Sequence, residues 1–65
     1  MAGDLVELLI EREGTEPGQG VGYLDDGTMV VIEGAAAHVG ENLEIEIASA
    51  LRTSVGRLFF GKMAA

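Results

Sequence analysis

The chain has no cysteine and no tryptophan, a single proline, and only three aromatic residues, Tyr23, Phe59 and Phe60. Without cysteine there is no disulfide and no thiolate metal site, so aliphatic packing, backbone pairing or a partner must supply the stability. The same absence fits a reducing compartment, and a cytoplasmic-type domain is the expectation. Positive charge is also scarce. Four Lys and Arg stand against eleven Asp and Glu, for a net charge of -7. Such a balance repels polyanions at long range, whereas ordinary nucleic-acid binders carry basic patches that speed encounter. No apolar run approaches the roughly 20 residues needed to cross a bilayer, and the start, Met1-Ala-Gly-Asp-Leu-Val-Glu7, lacks the basic region of a signal peptide. No membrane contact is expected.

Sixty-five residues make one domain at most, with its core between about residues 5 and 62. A chain this short buries only about 60% of the surface its unfolded form exposes, which leaves little room for a large catalytic cleft. A hydrophobic content of 48% argues against intrinsic disorder.

Along the chain, Val6, Leu8 and Ile10 alternate with Glu7, Leu9 and Glu11. That two-residue period predicts a half-buried strand from about Leu5 to Glu13. Gly14-Thr-Glu-Pro-Gly-Gln-Gly20 is dense in turn formers and gives the first loop. A short second strand follows, in which Val21 and Tyr23 share one face while Gly20 and Gly22 leave the other open to a bend or a close backbone approach. Tyr23 either lines the binding face or closes the core with its hydroxyl at the surface. Asp25-Asp26-Gly27 predicts a tight hairpin turn that pairs this strand antiparallel with Thr28–Ile32.

Ala35-Ala-Ala-His-Val39 suits a short helical or 3-10 crossover. Leu43, Ile45, Ile47 and Leu51 then form the apolar face of a long strand, interrupted at Ser49 where a bulge would fit. The last strand is Arg57–Lys62, with Leu58 and Phe60 on one face and Phe59 on the other. The whole is all-β, a small five-stranded barrel of oligonucleotide-binding type with a short helical crossover between strands three and four.

The residues Arg12-Glu-Gly14, Glu16-Pro-Gly-Gln-Gly-Val-Gly-Tyr-Leu-Asp-Asp-Gly-Thr-Met-Val-Val31 and Thr53-Ser-Val-Gly-Arg57 resemble a TRAM domain, in particular the C-terminal TRAM module of bacterial PIN/TRAM proteins. The resemblance runs from about Leu5 to Lys62. It implies a five-stranded barrel that binds RNA and delivers it to a catalytic domain, attached or separate. The PIN nuclease domain of such proteins is not in this chain, so no enzymatic activity is expected of it.

Three of the four cations, Arg12, Arg52 and Arg57, flank two Gly-bearing polar loops. In oligonucleotide-binding folds these loops border the binding face, so the three arginines are expected to converge there on phosphate through two-pronged, charge-assisted hydrogen bonds. Gln19, Thr53 and Ser54 are the candidate polar contacts to sugar, base edge or phosphate. The competing reading makes the arginines ion-pair partners of nearby glutamates and leaves Thr53 and Ser54 to shape the turn. Phe59 either stacks on a base or meets another subunit or a missing domain.

Binding by three such contacts is expected to be weak and salt-sensitive, with a slope near ~-2. The alternative function is a protein-interaction or homo-oligomerisation module, motivated by the acidic balance, Leu9 and Phe59. His38 stands alone, with no second ligand at metal-binding spacing, and Gly18, Gly20 and Gly22 precede neither a helix nor a P-loop lysine. Neither a metal nor a cofactor is expected.

Overall fold

The computed structural model describes residues 4–54 and 56–64. They form six strands: β1 Leu5–Leu9, β2 Arg12–Glu13, β3 Gln19–Tyr23, β4 Met29–Glu33, β5 Asn42–Thr53 and β6 Gly56–Met63. All belong to one curled sheet, a half-barrel with the order β1-β5-β6-β4-β3-β2. The pairing is antiparallel throughout except between β4 and β6, which run parallel.

The strand expected over Leu5–Glu13 is divided, which makes six strands rather than five. Up to Leu9 the segment pairs with β5, and from Arg12 it pairs with β3. The change of partner falls at Ile10 and Glu11. The Ile10 N–H donates to the Glu41 carbonyl at 2.9 Å, and the Glu11 N–H donates to the Val21 carbonyl at 2.7 Å. The two edges of the sheet are therefore consecutive pieces of one chain segment, and Ile10 pins the crossing with a fully buried side chain.

The core lies on the inner face and consists of Leu8, Ile10, Val30, Ile32, Ala35, Ile45 and Ile47, with Val6, Leu24, Leu43, Phe59 and Met63 packed against it. Burying an isoleucine of this kind stabilises by roughly 1.5–3 kcal/mol. Gly20 and Gly22 face this core, and their missing side chains let β3 lie close against Ala35, Ile10 and Leu8.

Between β3 and β4 the expected hairpin is present, with Tyr23 opposite Met29 and Gly27 at φ 88. Among the described residues there is no α-helix. The segment between β4 and β5 holds one three-residue 3-10 turn, Ala36–His38, tied down by the Ala36 N–H donating to the Gly18 carbonyl at 3.2 Å.

Candidate nucleic-acid interface

The longest strand pair sets up the site. β1 covers β5 only from Asn42 to Glu46, so the end of the β5–β6 hairpin extends past it. A register shift between Ile47 and Ser49 leaves Ala48 as an extra residue on β5. An insertion of this kind bends the strand and reverses its side-chain alternation. Beyond it Ser49 stands opposite Phe60, Ala50 opposite Phe59, Leu51 opposite Leu58, and Arg52 opposite Arg57.

Arg52 and Arg57 are thus direct cross-strand neighbours, both exposed. Like charges in this relation repel. Among the described residues Arg57 has one counterion, Asp26, with Nη2 3.7 Å from Oδ2, while Arg52 has none. Two cations therefore share one end of the β5–β6 hairpin, and among the described residues only Arg57 has a carboxylate beside it. Thr53 sits at the turn, where its hydroxyl donates to the Gly56 carbonyl at 2.7 Å, and Ser54 is exposed at the tip. Val55 lies outside the described residues.

Phe59 does not stand on the outer surface. Leu58 and Phe60 take the outer face, and Phe59 packs against the core. It keeps part of its ring exposed, and with Ala50, Leu51, Arg52 and Arg57 it lines an open cleft of about 350 Å³. The residue opposite Phe59 is Ala50, whose short side chain does not reach over the ring.

Arg12 is not brought to the other two arginines. It pairs with Val21 at the far edge of the sheet, and β3 and β4 lie between β2 and β6, a path of roughly 14 Å along the curled sheet at about 4.8 Å per strand. Its Nη2 donates to the Tyr23 hydroxyl at 2.9 Å. Gln19 holds the first loop: its Nε2 donates to Glu33 at 2.9 Å, and its Oε1 accepts from the Glu16 N–H at 3.3 Å.

Tyr23 is exposed on the outer face, so the core-closing alternative does not hold for it. The register continues from Tyr23 to Met29, Leu58 and Leu51 as an outer apolar row. Ala50 is the cleft residue that sequence reasoning does not identify, since its own neighbourhood carries no signal.

Asp26 closes the β3–β4 turn by accepting the Thr28 N–H at 2.9 Å. The side-chain hydrogen bond from Thr28 is the main influence holding its carboxyl below the ordinary aspartate value; the Thr28 backbone bond adds to it, and Arg57 contributes a smaller pull. Asp26 is therefore charged wherever ordinary carboxylates are charged. Its stabilising effect is present above the unfolded-state pKa and is lost as pH falls through the lower folded value. A carbon-detected NMR titration is expected to give Asp26 a midpoint below the ordinary value, and Thr28→Ala is expected to move that midpoint back up.

A family model of the TRAM domain matches residues 1–56. The chain belongs to the TRAM domain family. Such domains are generally RNA-binding modules. The TRAM domain is 52% identical over 62 residues to an uncharacterized protein of Thermus thermophilus from the scsB 5' region, covering 95% of this chain and 67% of that protein. It is equally 52% identical, over 95% of its length, to an uncharacterized PIN and TRAM-domain containing protein of the same organism, of which it spans 18%. For the PIN and TRAM-domain containing protein YacL of Bacillus subtilis the identity is 37%, and this chain spans 17% of that protein.

The chain thus corresponds to the non-catalytic TRAM part alone, and the PIN domain belongs to the longer relatives. No solved structure matches it. Among the described residues no group of three or more His, Cys, Asp or Glu side chains is arranged to hold a metal, and no helix is long and apolar enough to cross a membrane.

Proposed function

We propose that this TRAM domain is a non-catalytic module that positions single-stranded or loop RNA for a catalytic domain, attached or separate, with Arg52 and Arg57 on the phosphates. The relatives named for a PIN domain beside their TRAM domain make such a domain the natural partner. The observation behind this reading is the facing pair Arg52 and Arg57, with Asp26 as its one counterion among the described residues. A phosphate on each guanidinium would relieve their repulsion and accept the two-pronged hydrogen bonds that arginine makes. Ser54 at the tip adds a hydroxyl within the same region. Arg12 and Gln19 act at a separate place on the first loop and β2. The module is the whole chain, built on a core of about residues 5–62.

The reading is tested by titrating a fluorescent mixed-sequence single-stranded RNA at two low salt concentrations. Two phosphate contacts give an expected slope of log affinity against log salt near ~-1.4, shallower than the ~-2 of three converging arginines. Arg52→Ala/Arg57→Ala is expected to lose the salt-dependent binding while keeping the wild-type circular dichroism spectrum. Absence of binding by the folded wild type would turn attention to the Tyr23, Met29, Leu58 and Leu51 row as a protein-interaction or homo-oligomer surface.

A further inference from the structure

We infer that the cleft over Phe59 is a binding site for one unpaired base, and that Ala50 is the residue that keeps it open. The inference rests on the RNA-binding reading above and deepens it, because it names how the site would choose single-stranded RNA over duplex. Three features meet in the cleft. Phe59 lines it, only partly buried and packed against the core, and supplies an apolar planar surface that serves as its floor. Arg52 and Arg57 line the same cleft and would hold the phosphates on either side of a base that enters. Its emptiness comes from the register: Ala50 stands opposite Phe59, where a longer side chain would lie over the ring.

The volume of about 350 Å³ is at the small end of ligand-sized pockets, about 300–1,000 Å³. It suits a single inserted group rather than a stack of several. The two incompletely neutralised guanidiniums select an occupant that is flat, apolar on its faces and flanked by negative charge, which describes a nucleotide whose base is turned out of any helix. A paired base keeps its faces within the stack and presents only its phosphates, so duplex RNA would use the arginines and leave the floor bare.

The test compares three fluorescent probes of about ten nucleotides, within the range of sites on such folds: a mixed-sequence single-stranded RNA, the same sugar-phosphate chain without bases, and the same RNA annealed to its complement. Anisotropy titrations are expected to show the intact single strand binding about tenfold tighter than either of the others, the size of one base-stacking contact. Ala50→Leu is expected to lower binding of the intact strand to the level of the baseless chain while leaving the baseless chain unchanged. Ala50→Ser, which leaves the cleft open, should behave as wild type. Position 50 is exposed, so neither change disturbs the core, and circular dichroism checks this.

Equal affinity for intact and baseless strands would overturn the base site while leaving the RNA-binding reading in place. An Ala50→Leu variant that binds the intact strand as well as wild type would do the same. Binding to none of the three probes by the folded protein would overturn both.

Discussion

Gly22→Ala is expected to remove a large share of the protein's stability. A Cβ at this position would run into the Leu8 side chain and come within 2.6 Å of the Leu9 carbonyl oxygen. Neither neighbour can withdraw cheaply. Leu8 is a buried core residue, and Leu9 is held in register opposite Asn42 on β5. Forcing extra volume into such a site costs about 1–3 kcal/mol, and more where backbone must move. A chain of this size has only about 3–10 kcal/mol of stability in total.

Each kcal/mol lost lowers the melting temperature by about 4–8 °C in a domain of this length. A thermal melt followed by circular dichroism should therefore show a midpoint at least ~10 °C below wild type, or no cooperative transition. Gly18→Ala serves as the comparison. Gly18 has a φ of 86 but nothing within 4 Å of an added Cβ, so the change should cost only the backbone strain of about 1–2 kcal/mol. A Gly22→Ala melt no lower than that of Gly18→Ala would contradict the close passage of β1 over β3.

Much of this arrangement was legible in the sequence wherever a local pattern dictates it. Val6, Leu8 and Ile10 alternate because one side of their strand is buried, and Leu8 and Ile10 are indeed core residues. Gly20 and Gly22 signalled a close approach, and that is how they are used. Asp25-Asp26-Gly27 specified a turn through its conformational preference alone.

The misreadings arise where a non-local partner decides. The apolar alternation of Leu5–Glu13 runs on unbroken while the hydrogen-bond partner changes from β5 to β3, so nothing in its pattern separates β1 from β2. Leu51 reads as a continuation of Leu43, Ile45 and Ile47, yet the extra residue Ala48 puts it opposite Leu58 on the outer face, with 51% exposure. The sequence suggested a bulge at Ser49 but not its consequence for the residues that follow.

The same limit applies to the site. Arg52 and Arg57 flank a short turn, and a hairpin brings them together whatever the rest of the sheet does. Arg12 would join them only if the first loop reached across the sheet, and the strand order places β3 and β4 between. Phe59 was recognised as facing away from Leu58 and Phe60, but which of those faces is inside depends on what β6 packs against. Ala50 matters only through the residue opposite it, which no reading of its own neighbourhood identifies.

The largest functional effect is expected from Arg52→Glu/Arg57→Glu. Hydrogen bonds to charged groups contribute about 1.5–3 kcal/mol each, so losing two of them lowers affinity for single-stranded RNA by more than about a hundredfold, before the repulsion of the new carboxylates is added. Both positions are exposed and outside the core, so the fold should survive, although the carboxylate introduced at position 57 would lie near Asp26.

Each reversal also makes an already acidic chain two charges more negative, and that change alone would weaken binding of any polyanion. Lys62→Glu separates the two effects. Lys62 lies on β6 opposite Glu46 and Glu33, several residues along the strand from Arg57. At physiological ionic strength charges are screened over about 8 Å, so its reversal should change affinity only about twofold. If Lys62→Glu weakens binding as much as a single reversal at Arg57, the chain's overall charge governs the affinity and the hairpin end is not the site. If Arg57→Glu alone is far more damaging, the phosphates are held at the hairpin end where the two guanidiniums face each other.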